Sequence, residues 1–122
     1  MCGIVFTNSD LKSQNYKKIV EYTKYRGPDL QNSFKYKQLF FGFNYLSITG
    51  TLKGSPQPFI KDKCVLIFNG EIFNYKILKK ELMKKGVSFE TNSDTEVLLE
   101  CLKLYGIEKT HQLIEGMWSF VF

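Results

Sequence analysis

Cys64-Val65-Leu66-Ile67-Phe68-Asn69-Gly70-Glu71-Ile72-Phe73-Asn74 switches from one periodicity to another within eleven residues. Cys64–Phe68 is a short apolar run with β-branched and aromatic members, bounded by a turn signal, and reads as a strand. It runs straight into Asn69-Gly70, a strong hairpin signal that calls for a second alternating strand. A helical pattern follows instead, over about 74–85. Ile77, Leu78, Leu82 and Met83 form its apolar stripe and Gly86 suits its C-terminal end. The chain therefore mixes strands with helices.

Working outward, Cys2–Phe6 reads as a buried strand and Thr7–Asp10 as a polar turn. Ser13–Tyr25 fits a helix with Tyr16, Ile19, Val20 and Thr23 on one face. Arg26-Gly27-Pro28-Asp29 must break it, because a proline disfavours the helical region for the residue before it. Leu39–Ile48 is predicted as strand and Thr49–Pro58 as a loop with two Gly and two Pro. Toward the C-terminus, Lys79-Lys80 and Lys84-Lys85 lie off the apolar stripe and read as a solvated face. Val87–Glu90 is predicted as a short strand. Ser93 followed three residues later by Glu96 is a capping box, so a helix starts there and runs to Tyr105-Gly106. A short helical piece near 109–114 and a strand at Gly116–Phe122 complete the pattern, with no repeat and no internal linker.

The 122 residues suffice for one domain. Scaling relations give roughly 6,800 Å² of folded surface against roughly 20,600 Å² extended. With 43% hydrophobic and 24% charged residues, composition excludes a disordered tail, a collagen and a disulfide scaffold. No run of 18 apolar residues is present, and the N-terminus lacks the basic segment of a signal peptide. Cys2, Cys64 and Cys101 have no metal-like spacing, so reduced thiols and a cytoplasmic setting are expected, with Cys64 and Cys101 as core residues. The net charge of +5 comes from sixteen Lys and one Arg in a chain without Ala. That bias fits an AT-rich coding sequence and weakens the inference from charge to nucleic-acid binding, for which no recognition motif is present.

Chemistry concentrates at the front. Removal of Met1 would make Cys2 the N-terminal residue. An α-amine has a pKa of about 7.7–8, against about 10 for lysine, so such a cysteine carries its own general base. It needs no histidine, and His111 is the single one present. By itself Cys2 is more simply a buried strand cysteine. Asn69-Gly70 could supply an oxyanion hole through the Asn amide and the Gly N–H, or be a plain tight turn.

Six motifs occur in order: Met1-Cys2-Gly3-Ile4-Val5; Arg26-Gly27-Pro28-Asp29; Leu46-Ser47-Ile48 with Gln57-Pro58; Asn69-Gly70-Glu71-Ile72-Phe73-Asn74; Thr91 to Leu99; and Gly116-Met117-Trp118-Ser119-Phe120. Together they resemble the glutaminase domain of class II glutamine amidotransferases, of the asparagine synthetase type, over the whole chain. The resemblance implies an α+β fold, the αββα four-layer sandwich of N-terminal nucleophile hydrolases, with 1–122 as its N-terminal part. It implies hydrolysis of glutamine to glutamate and ammonia through a cysteinyl thioester on Cys2. Asn69 and Gly70 would bind the oxyanion. Asp94 would take the α-ammonium, and Glu71 would line the same pocket, with Leu46 and Ile48 also at the substrate. Arg26 and Gly27 would shape the loop beside the nucleophile, where a guanidinium fork has no lysine equivalent. Asp94 also suits a helix first turn on electrostatic grounds alone, and both roles can coexist.

Two features depart from the family pattern. An Arg that clamps the substrate α-carboxylate is replaced by Tyr45, which donates one uncharged hydrogen bond. The expected loss is roughly 1.5–3 kcal/mol, unless Lys53 supplies the charge or the substrate differs. The second is length: the sequence is expected to be incomplete at its C-terminus, with Ser119–Phe122 an unpartnered apolar edge prone to association. No Ser-Gly-Gly-x-Asp or Gly-rich phosphate loop is present, so no cofactor is expected; ATP and Mg would belong to a synthetase domain. The implied partners are glutamine, that synthetase domain or a C-terminal half, and a second copy of the chain, with no membrane. The alternative function is a catalytically impaired remnant with a binding or partner role.

Overall fold

A computed structural model describes residues 2–9, 13–47 and 56–122. The elements in chain order are β1 (Gly3–Thr7), α1 (Ser13–Tyr22), a single 3₁₀ turn (Lys24–Arg26), β2 (Leu30–Tyr36), β3 (Leu39–Tyr45), β4 (Phe59–Lys61), β5 (Cys64–Ile72), α2 (Tyr75–Lys84), α3 (Asp94–Leu113) and β6 (Gly116–Val121). They form an α+β fold with two three-stranded antiparallel sheets, ordered β1-β3-β2 and β4-β5-β6. Helix α1 lies on the first sheet, α2 and α3 on the second, and β1 and β3 pack against β5.

Strand alternation sorts the side chains into these layers. In β3, Phe40 stacks 4.6 Å from Tyr16 of α1, and Asn44 donates to Val20 O and Thr23 Oγ1 at 2.7 Å each. Phe41, Phe43 and Tyr45 therefore face away from α1, toward the other sheet. In β5, Leu66, Phe68 and Ile72 join the core under α2 and α3. Val65, Ile67, Asn69 and Glu71 consequently point to the first sheet. Burying a side chain such as Leu66 or Leu98, both with no exposed surface, is worth about 1.5–3 kcal/mol.

Helix α3 is buried on every side from Thr95 to Leu102, between β5 and α2. Its N-terminus is capped by Ser93 Oγ, which accepts the Glu96 N–H at 3.3 Å. The reciprocal half of the box is absent, because the Glu96 carboxylate faces Lys61, Glu90 and Thr91 instead. The helix breaks at Gly106, whose φ of 74° and ψ of 175° are non-helical, where the sequence predicts an end.

Several expectations are corrected. Leu30–Tyr36 is a strand that periodicity does not reveal, because β2 is an exposed edge carrying mostly polar residues. Its Ser33 N–H bonds the Asn32 side chain at 2.9 Å, which occupies a donor otherwise open to strand addition. Strand β1 is only partly covered, with Phe6 41% exposed, because it too is an edge. In α2, Leu78 and Leu82 are buried while Ile77 and Met83 are exposed, so the contact stripe is narrower than the apolar one. Lys79 does not belong to a solvated face: it donates to Thr91 O at 2.6 Å and Asn92 Oδ1 at 2.8 Å. Val87–Glu90 is not a strand: the Val87 N–H bonds Leu82 O, and side chains hold Ser88 O and the Glu90 N–H. Of the expected unpartnered edge Ser119–Phe122, Ser119–Val121 is paired, since β6 runs along Ile67–Ile72 of β5 and leaves one edge open. Cys101 is buried and Cys64 half-buried, both free thiols. No helix among the described residues is long and apolar enough to cross a membrane.

Candidate functional site

The first group of site residues gathers where β1 starts and β3 ends. Cys2 Sγ accepts the Leu46 N–H at 3.4 Å, and Arg26 Nε donates to Cys2 O at 3.4 Å. The 3₁₀ turn places that guanidinium, and Gly27 is buried against the backbone of Asn44 and Tyr45. Asp29 closes the loop onto β3: its N–H donates to Tyr45 O at 3.1 Å, and its carboxylate accepts the Ser47 N–H at 2.6 Å. Asn44, buried and bonded to the end of α1, holds this turn in register with the strand. Tyr45 is half-buried with its ring 6.2 Å from that of Phe43, on the face turned toward β5.

The second group lies on β5 and the start of α3. Asn69-Gly70 is not a turn. It sits inside β5, with Asn69 opposite Ser119 and Gly70 opposite Trp118. Gly70 is there for close approach: a Cβ would strike the Met117 carbonyl of the neighbouring strand. Alternation directs the Asn69 side chain toward the first sheet, the side on which Cys2 lies, and Glu71 follows on the same face, exposed. Asp94 Oδ2 accepts the Ile72 N–H at 3.1 Å, which ties α3 to the end of β5. Burial raises the Asp94 carboxyl above the usual carboxylate range. The N–H groups of Ile72 and Thr95 oppose the rise, and the Glu71 charge adds to it. No ion pair among the described residues engages Asp94. It is a desolvated carboxylate beside a like charge, an arrangement that favours a cationic ligand.

The structure therefore brings Cys2, Arg26, Gly27, Tyr45 and Leu46 together on one sheet. Asn69, Gly70, Glu71 and Asp94 assemble on the strand that packs against it. No hydrogen bond joins the two groups among the described residues. Ile48 and Lys53 lie outside the described residues. An open groove of about 710 Å³ lies elsewhere, between α1 and β2, and touches none of these positions. No cluster of three His, Cys, Asp or Glu suited to a metal occurs among the described residues.

Three supporting residues escape sequence reasoning. Gln57 Oε1 accepts the Phe68 N–H at 2.5 Å, just before Asn69. Lys61 pairs with Glu96 and Glu100 at 2.8 and 2.9 Å, and Lys79 binds the loop before Asp94. Lys61 and Lys79 carry no local signal, being two of sixteen lysines; Gln57 lies in a quoted motif but without a role.

Comparison with known proteins adds a further finding. A family model described as a glutamine amidotransferase domain matches residues 1–122. Asparagine synthetase (glutamine-hydrolysing) 1 of Bacillus subtilis strain 168 is 37% identical over a 129-residue alignment covering 99% of this chain. Asparagine synthetase (glutamine-hydrolysing) 2 of Arabidopsis thaliana is 32% identical, again over 99% of the chain. The chain covers 20% and 22% of these two proteins, so it spans about a fifth of the length of the curated relatives it matches. A solved structure titled as the allosteric regulatory enzyme of purine biosynthesis matches with a TM-score of 0.58 and 26% identity. That match covers 68% of this chain and 21% of the other.

Proposed function

The chain belongs to the glutamine amidotransferase domain family, and from that premise we propose that it hydrolyses glutamine through a Cys2 thioester and releases ammonia for transfer to an acceptor. The observation that carries this reading is that Cys2, at the start of β1, lies on the sheet that packs against β5, the strand that presents Asn69-Gly70 and leads to Asp94, whose carboxylate has no ion-pair partner among the described residues. The layer order supports the αββα sandwich of N-terminal nucleophile hydrolases.

In this reading the Cys2 thiol gives its proton to the α-amine freed by loss of Met1, and the sulfur attacks the side-chain amide carbon. The Asn69 amide and the Gly70 N–H stabilise the tetrahedral oxyanion. The α-amine then protonates the departing nitrogen as ammonia, and water hydrolyses the thioester to glutamate. Asp94 neutralises the substrate α-ammonium, with Glu71 beside it. Arg26 steadies the nucleophile through the Cys2 carbonyl. The ammonia acceptor, aspartate in asparagine synthetases, and any ATP or Mg would belong to a synthetase domain.

The test is intact mass followed by an electrophilic glutamine analogue. Loss of Met1 and a single adduct mapped to Cys2 are expected; a retained Met1, or an adduct elsewhere, overturns the reading. The alternative is a binding remnant, favoured by Tyr45 in the place of the carboxylate-clamping Arg. Ammonia release from glutamine that Cys2→Ala abolishes excludes the remnant, and Tyr45→Arg tests the carboxylate site. If glutamine binds with its α-carboxylate at this position, the added guanidinium should lower KM by about tenfold or more, the effect of a charge-assisted bond. An unchanged KM places the carboxylate elsewhere.

A further inference from the structure

Resting on the assignment of Asp94 to the substrate ammonium, we propose that Lys61 and Lys79 are positioning residues that clamp the loop before Asp94 from two sides and thereby set its carboxylate. The loop 87–93 has no strand partner, so its backbone polar groups must be satisfied in some other way. Lys61, on β4, donates to Ser88 O at 2.8 Å and to Glu96 Oε1 at 2.8 Å. Glu96, fully buried in α3, passes this hold back to the loop. Its carboxylate accepts the Glu90 N–H at 2.9 Å, the Thr91 N–H at 2.6 Å and the Thr91 hydroxyl at 2.7 Å. Lys79, on α2, reaches the same turn from the other side through Thr91 O and Asn92 Oδ1.

Both ammonium groups also lie over the ring of Phe89, Lys61 at 5.8 Å and Lys79 at 4.8 Å from its centre. The loop is thus held by β4, α2 and α3 together. It delivers Ser93 as the cap of α3, and the next residue, Asp94, closes on the Ile72 N–H of β5. A carboxylate whose task is to meet one ammonium must be held to within a fraction of an ångström, and here the supporting contacts come from two lysines outside the site.

The test measures KM and kcat for glutamine alongside glutaramate, which is glutamine without its α-ammonium. In Lys61→Met and Lys79→Met, KM for glutamine should rise roughly tenfold while kcat changes less than about twofold and KM for glutaramate stays constant. Lys79→Arg should restore the parent value. Lys61→Met strips the buried Glu96 carboxylate of its cation at a cost to folding, although Glu100 keeps Lys103; Lys79→Met strips none, so it keeps the idea testable. Hydrogen exchange supplies a readout independent of catalysis. The Ile72 amide should lose protection in Lys79→Met while the Ile67 amide keeps its own. A parent with no glutaminase activity would defeat the functional assignment but not this readout. Unchanged Ile72 protection in Lys79→Met, or equal losses for glutamine and glutaramate, would overturn the clamp.

Discussion

Cys2→Ala should abolish ammonia release from glutamine, by roughly 10⁴-fold or more, while leaving the fold intact. A nucleophile and its base act as a unit, so deleting the sulfur leaves only binding and oxyanion stabilisation, and such deletions are among the largest single effects in acyl-transfer enzymes. The structural cost should be small. Cys2 is half-buried and its thiol accepts one 3.4 Å N–H from Leu46, so loss of that contact is worth well under about 1 kcal/mol. The measurement is ammonia release per mole of protein with thermal melting alongside. Residual release within about tenfold of the parent would show that another group does the chemistry.

Glu96→Gln is expected to be the most damaging substitution for stability outside the apolar core. Burial alone would raise this carboxyl, but Lys61, the N–H groups of Glu90 and Thr91, and the Thr91 hydroxyl hold it down to about 2. The ordinary value is 4.5. At 1.36 kcal/mol per unit, the ionised form contributes about 3 kcal/mol at neutral pH, a large part of the 5–15 kcal/mol typical of a domain. Because the folded value lies below the unfolded one, the contribution is present above about pH 4.5 and is lost as pH falls toward 2. Denaturant titrations at pH 7 and at about pH 2 check this. The parent should exceed Glu96→Gln by about 3 kcal/mol at pH 7, and the two should converge in acid. A gap that does not change with pH would mean that the glutamine disturbs packing rather than charge.

Glu96 also shows where sequence reading stops. Its spacing from Ser93 identifies the start of α3 correctly, and Ser93 does cap that helix. The same spacing suggests that Glu96 turns back on the N–H of its own cap, yet its partners are a lysine 35 residues away and the Glu90 and Thr91 N–H groups just before that cap. Asn69-Gly70 gives a similar lesson. The dipeptide reads as a turn because both residues tolerate turn geometry, but pairing with Gly116–Val121 draws it into the middle of β5. Strand β2 escapes altogether, since an edge strand exposed on its faces has no apolar alternation to detect.

Features that a few neighbouring residues control are legible from the residues alone. These are the strand-to-helix switch after β5, the break at Arg26-Gly27-Pro28, the cap at Ser93, the interruption at Gly106 and the six motifs that place the chain in its family. Backbone sterics and local hydrogen bonds act within a turn or two, so such signals survive without knowledge of the rest of the chain. Long-range packing sets which strands pair, that Asn69 turns toward the sheet bearing Cys2, and that Asp94 has no ion-pair partner among the described residues while two lysines hold the loop beside it. Those outcomes depend on burial and charge between residues tens of positions apart, and no local pattern records which distant partner will be met.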